Sequence, residues 1–145
     1  MSRMKEKSAE YTELLTDCDN RWDMLQVLME LGEELEDYPP SQKNPANKAP
    51  NCISQVYLFV EITPQNTIKP HITADAHIVK GYAKILTDMF TDVKIEEFLQ
   101  DSQDVIKTFI EQTKIDSSFL SSRANAFGNM FEFLTQKVKL LHEGN

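Results

Sequence analysis

Four of the chain's six prolines, Pro39, Pro40, Pro45 and Pro50, fall within residues 36–54, interleaved with Asn44, Asn47 and Asn51. Proline fixes φ and removes a backbone donor, so neither a helix nor a central strand runs through such a stretch. The chain is therefore divided there, and a long loop joins what forms on either side. Loops of this length inside compact domains are usually functional or disordered. Directly after it comes the strongest strand signal, Gln55-Val-Tyr-Leu-Phe-Val-Glu-Ile62. Thr63-Pro-Gln-Asn66 reads as a turn, and Thr67–Thr73 as the hairpin partner, with Ile68 and Ile72 alternating with polar residues. Pro70 asks for an edge strand or an outward-facing position.

Both flanks are helical in pattern. Residues 1–7 read as a ragged end. A short helix follows, with Tyr11, Leu14, Leu15 and Cys18 three or four apart. Asp19 or Asn20 caps a second helix, on which Trp22, Leu25, Leu28 or Met29 and Leu35 form the apolar face. It closes on Glu33-Glu34-Leu35-Glu36-Asp37, where acids oppose the helix dipole. A solvated acidic turn is the simplest reading; a docking edge for a basic partner is the alternative. After the hairpin, Asp75 is placed to cap a helix through Ile78, Val79, Tyr82, Ala83, Leu86, Met89 and Phe90. Thr91-Asp92 caps a short helix carrying Ile95, Phe98 and Leu99, and Asp101–Thr113 reads as another. The last helix is predicted from about Ser122 to Leu141, with Phe127, Met130, Phe131, Leu134, Val138 and Leu141 inward. Helices, a small antiparallel sheet and more helices make an α+β protein, and 145 residues make one domain.

Charge narrows the partners. With 15 Lys+Arg against 23 Asp+Glu the net charge is −8, so nucleic acid and anionic membrane are poor partners. No apolar run approaches the ~20 residues that cross a bilayer. The N-terminus lacks a secretory apolar segment, and Glu6, Glu10 and Glu13 argue against a transit peptide. A reduced, cytoplasmic setting is expected, in which two distant cysteines stay free.

Little else carries chemistry. His71, His77 and His142 are scattered without metal-ligand spacing, so no metal is expected. Glycine-rich phosphate loops and Gly-x-Ser-x-Gly elbows are absent. Cys18, on the first helix's apolar face, reads as a small core residue. Cys52 stands in the proline-rich loop two residues before Ser54, where a rigid strand follows, a usual address for reactive groups. Spacing alone nevertheless favours a packing role for it, since a free thiol is only slightly ionised at neutral pH.

A family resemblance alters that balance. Asn51-Cys-Ile-Ser-Gln-Val-Tyr-Leu58 resembles the signature of the SufE family of sulfur-acceptor proteins. Glu30-Leu-Gly32, Asp75-Ala-His-Ile-Val-Lys-Gly81 and Ser122-Arg123-Ala-Asn125 follow in the family's order and spacing. The resemblance implies a small antiparallel sheet packed on helices, the fold shared with IscU-type scaffold proteins. It implies that Cys52 accepts sulfur from the persulfide of a pyridoxal-phosphate cysteine desulfurase (SufS-like) and stimulates that enzyme. Sulfur would then pass toward iron–sulfur cluster assembly on a SufBCD-like complex. Asp75 and Arg123 match polar positions associated with the cysteine loop and the desulfurase. The protein would be an accessory persulfide carrier with no cofactor of its own rather than a stand-alone enzyme. Delivery to another pathway such as tRNA thiolation, a cluster scaffold, and a purely regulatory module are the alternatives. The chain departs from the family at Asn51 (usually Gly), Tyr57 (commonly Trp), Thr73-Ala74 (usually Asp-Ser), Ser121 (usually Pro) and Ala126 (usually Gly). The thiol is expected to rest in a partly apolar niche, with loop 36–54 moving out when the desulfurase docks.

Overall fold

The structure, a computed structural model, describes residues 2–50, 54–116 and 125–144. Helix α1 spans Arg3–Thr16, with the Ser2 hydroxyl accepting from the Lys5 N–H. The ragged end expected over residues 1–7 is thus mostly first turn of a helix, and Met4 is fully buried. Helix α2, Arg21–Glu33, starts where the Asn20 side chain accepts from the Asp23 N–H at 3.0 Å. Strands β1 (Val56–Ile62) and β2 (Thr67–Ala74) form an antiparallel hairpin in which Ile62 faces Ile68 and Val56 faces Ala74. Asn66 closes the turn at φ 63°, a left-handed geometry that asparagine tolerates.

Helix α3 spans His77–Phe90, and a two-residue strand β3, Val93–Lys94, pairs with Thr67 and Ile68 to complete a sheet in the order β1-β2-β3. β2 is therefore not an edge strand at its start, and the Pro70 ring is buried rather than outward. It is tolerated because β3 stops at Ile68. The hairpin bonds at Thr63–Thr67 and Gln55–Asp75 alternate along the ladder, which turns the Pro70 nitrogen away from β1 toward the open side.

Helix α4 runs unbroken over Ile95–Thr113, where two shorter helices were expected. The polar stretch Gln100–Asp104 interrupts the apolar pattern but holds neither proline nor glycine, and Ser102 is buried there. Helix α5 spans Ala126–Glu143 and buries Phe127, Met130, Phe131, Leu134 and Val138; Leu141, expected inward, is 36% exposed.

Helices α2 and α3 pack against each other through glycine. A Cβ on Gly81 would stand 2.2 Å from the Leu28 carbonyl oxygen, so the two backbones touch where only glycine fits. Gly32 meets the His77–Lys80 turn in the same way, which makes the helices antiparallel. Their core-facing residues join the inner face of the sheet, Val56, Leu58, Ile68 and Ile72, and a ring cluster in which Phe90 lies 5.0 Å from Phe98 and 5.7 Å from Phe131. Trp22 is not part of this core. It is 79% exposed, which overturns its expected place on the inward face of α2.

Candidate functional site

The loop before β1 is tied down along its described length. Two 3₁₀ turns, Pro40–Gln42 and Pro45–Asn47, begin where proline's fixed φ suits the first helical position. The Tyr38 ring meets Phe59 of β1 edge-on at 5.4 Å, and its hydroxyl donates to the Gln42 carbonyl at 2.9 Å. Asn47 is the hub. Its amide donates to the backbone and side-chain oxygens of Gln42 at 3.0 and 2.9 Å, and its own N–H is received by the Asn44 side chain. From α5, Lys137 Nζ donates to the Asn47 Oδ1 at 2.7 Å and the Ala46 carbonyl at 2.8 Å, 5.3 Å above the Phe133 ring. Burial in this position pushes the Lys137 pKa down.

After the hub the chain joins the free edge of β1. Lys48 bridges antiparallel to Tyr57, and the Ala49 N–H donates to the Val56 carbonyl at 2.8 Å. Pro50 then lines a cavity of about 70 Å³ with Asn129, Glu132, Phe133 and Gln136 of α5. The expected outward swing of loop 36–54 would have to break the Asn47–Lys137 and Lys48–Tyr57 contacts.

Of the three site residues read from the sequence, Cys52 and Arg123 lie outside the described residues. Asp75 lies within them and does something other than cap a helix. The N-cap position of α3 belongs to Ala76, and no side chain caps it. Asp75 Oδ1 instead accepts from the Gln55 N–H at 3.0 Å, and the Asp75 N–H donates to the Gln55 carbonyl at 3.2 Å. This two-way bond fixes the chain as it enters β1, three residues after Cys52.

Asp116, which carries no recognisable spacing signal, has the matching role before α5. Its two carboxylate oxygens accept from the Phe127 and Gly128 N–H groups, each at 3.0 Å. It thereby supplies the cap that Asn125, itself at φ 67°, does not. Burial pushes the Asp116 pKa up, against the opposing pull of those two N–H bonds.

Cys18 is not the core residue expected. It is half-buried in the turn after α1, its Sγ 3.6 Å from the Leu14 carbonyl. Burial, then Asp23, Asp17 and Asp19, push its pKa up, the reverse of what a reactive thiolate needs. His71 stacks on Phe59 at 4.5 Å and pairs with Glu61 across the hairpin. Among the described residues no three His, Cys, Asp or Glu side chains gather where they could hold a metal. Nor, among them, is any helix long and apolar enough to cross a membrane.

A helical protein with a three-stranded antiparallel sheet, whose first strand is entered from an anchored, proline-rich loop bearing a cysteine, defines the class. The chain belongs to the SufE family, described as an Fe-S metabolism associated domain, whose model matches residues 9–138. It is 30% identical over 123 residues to an uncharacterized SufE-like protein of Synechocystis sp., covering 85% of this chain and 72% of that one. It is 20% identical over 135 residues to the cysteine desulfuration protein SufE of Wigglesworthia glossinidia brevipalpis, covering 93% and 92%. The fold is similar to the solution structure of a hypothetical protein from Thermus thermophilus, with TM-score 0.69, 16% identity, and 92% and 93% of the two chains covered.

Proposed function

We propose that this protein is a sulfur acceptor and persulfide carrier serving a cysteine desulfurase, with Cys52 as the acceptor. The observation that carries the reading is the family match over residues 9–138, which spans Cys52, Asp75 and Arg123 together. The relative described as a cysteine desulfuration protein supports the same chemistry.

The transfer is a thiol exchange. The Cys52 thiolate attacks the terminal sulfur of the desulfurase persulfide; the sulfur–sulfur bond on the enzyme breaks as a new one forms on Cys52. The enzyme's cysteine departs as thiolate, and no net oxidation occurs. Access and orientation then govern the rate, so a tethered entry into β1 has a direct use. Asp75 acts as a positioning residue through Gln55, and Arg123 as a supporting cation. By removing the persulfide the carrier stimulates the desulfurase. It then passes sulfur to iron–sulfur cluster assembly on a SufBCD-like complex, within the cytoplasm and without a cofactor of its own.

The test is desulfurase turnover with a SufS-type enzyme and free cysteine. Wild type is expected to raise turnover, and Cys52→Ser to raise it no further than buffer. Equal stimulation by both proteins would leave a regulatory module in place of a carrier.

A further inference from the structure

One face of α2 takes no part in the mechanism above. Trp22, Met29 and Glu33 are spaced i, i+7 and i+11, which the helical period brings onto one line. The chain's one tryptophan is 79% exposed, Met29 is 39% exposed, and Glu33 is exposed. The opposite side is spent on the core, with Leu28 and Leu31 buried and Gly32 against α3. From Asp17 to Asp37 every charged residue except Arg21 is acidic. The apolar line is thus flanked by carboxylates.

This line runs toward the cysteine loop. Glu33 borders an open cleft of about 580 Å³ that Thr73 also lines, where Glu33, Glu36 and Asp37 outnumber Lys43 and Lys80. Thr73 pairs with Tyr57, and Tyr57 with Lys48, so the cleft opens beside the segment that leads to Cys52.

The charge selects the occupant. A second copy of this chain would set two acidic rims against each other, and nucleic acid or an anionic membrane would be repelled in the same way. A protein surface with a basic rim and an apolar centre is complementary, and exposed tryptophans are frequent anchors of such contacts. We propose that the outer face of α2, from Trp22 to Glu33, together with Asp37 beyond its end, docks a basic, apolar-centred face of the desulfurase. This rests on the reading of Cys52 as acceptor. Stable complexes bury about 800 Å² on each partner, and α2 adds area beside the loop. The carboxylates steer approach, and the indole holds the complex once formed.

The experiment is calorimetric titration of a SufS-type desulfurase with wild type, Trp22→Ala and Glu33→Lys/Asp37→Lys, at low and high salt. The altered α2 side chains are exposed; circular dichroism verifies folding, and Met29→Glu replaces any variant that fails it. Trp22→Ala and the charge-reversed protein are each expected to bind at least ~10-fold more weakly. The charge-reversed protein is also expected to lose the wild type's salt sensitivity. Wild-type affinity in either α2 variant overturns the docking face. Persulfide formation on Cys52 at saturating desulfurase separates the two failures. Its absence in wild type defeats the acceptor reading, whereas its presence with unimpaired α2 variants defeats the docking face alone.

Discussion

Two aspartates hold the ends of the segments that matter, and both act on backbone rather than on solvent. Asp116→Ala would leave the Phe127 and Gly128 N–H groups without their acceptor, the equivalent of losing an N-cap. The expected cost is ~1–2 kcal/mol, read as a fall of about 4 °C or more in thermal midpoint. The same carboxyl has a pH signature. Burial raises its pKa in the fold above the ordinary 3.8, so the folded state binds its proton more tightly than the unfolded chain does. Its contribution is therefore greatest at low pH and declines as pH climbs from 3.8 through the raised value. Asp116→Asn keeps an acceptor oxygen without the charge. Unfolding measured across that window is expected to show a shallower loss for the variant than for wild type.

At the same scale, Lys137→Met removes both hydrogen bonds that its ammonium donates to the loop, at Ala46 and Asn47, and leaves Asn47 Oδ1 without the lysine. Hydrogen exchange is expected to quicken at Asn47 and Ala49, by the factor of ten or so that follows from a lost bond of ~1–1.5 kcal/mol. Cys52 could be singled out in the sequence because a thiol beside a strand start has a short list of uses and a family signature surrounds it. Asn47, Asp116 and Lys137 could not. Asn47 meets Gln42 and Asn44 locally, but the bonds that tie it and Asp116 to α5 join different elements, 90 positions apart for Lys137 and Asn47, and no local spacing encodes that meeting. Asp75 was recognisable as important but not in its role. A carboxylate before a helix reads as a cap, and only the hairpin register shows Gln55 reaching it first.

Among the elements, the contact between α2 and α3 is the least tolerant of change. Gly81→Ala would drive a methyl into the Leu28 carbonyl, where backbone cannot yield cheaply. A loss of roughly 3 kcal/mol is expected, measured as a shift in denaturant midpoint at unchanged slope. Gly81 stands in a family block, but the reason for a glycine there does not show in the sequence, because a close approach between helices leaves no local pattern. The hairpin was readable because a run rich in β-branched and aromatic residues, Val56–Val60, stands between a proline-rich loop and a Pro-Gln-Asn turn, with Ile68 and Ile72 alternating with polar residues beyond it. The division of α4 into two helices was misread because polarity, unlike proline, does not stop a helix whose neighbours supply the packing. Trp22 was misassigned for the complementary reason. Its spacing fits an amphipathic face, but periodicity does not say whether the partner of that face lies within the chain.

For the molecule as a whole, the order of helices, hairpin and helices determined the α+β class, and the structure adds how the parts are joined. α5 reaches the cysteine loop through Lys137, and the acidic end of α2 borders the same loop, with Glu33 beside Asp37 in one cleft. The net charge of −8, which in composition merely excluded anionic partners, acquires a location along α2. In the proposed function, one thiol, Cys52, makes these parts a carrier. The decisive measurement is the intact mass of wild type and of Cys52→Ser after incubation with a SufS-type desulfurase and free cysteine, each split into reduced and unreduced halves. The account expects wild type to gain sulfur that a thiol reductant removes, and Cys52→Ser to gain none. Equal sulfur on both proteins, or none on wild type while the desulfurase turns over, would contradict it.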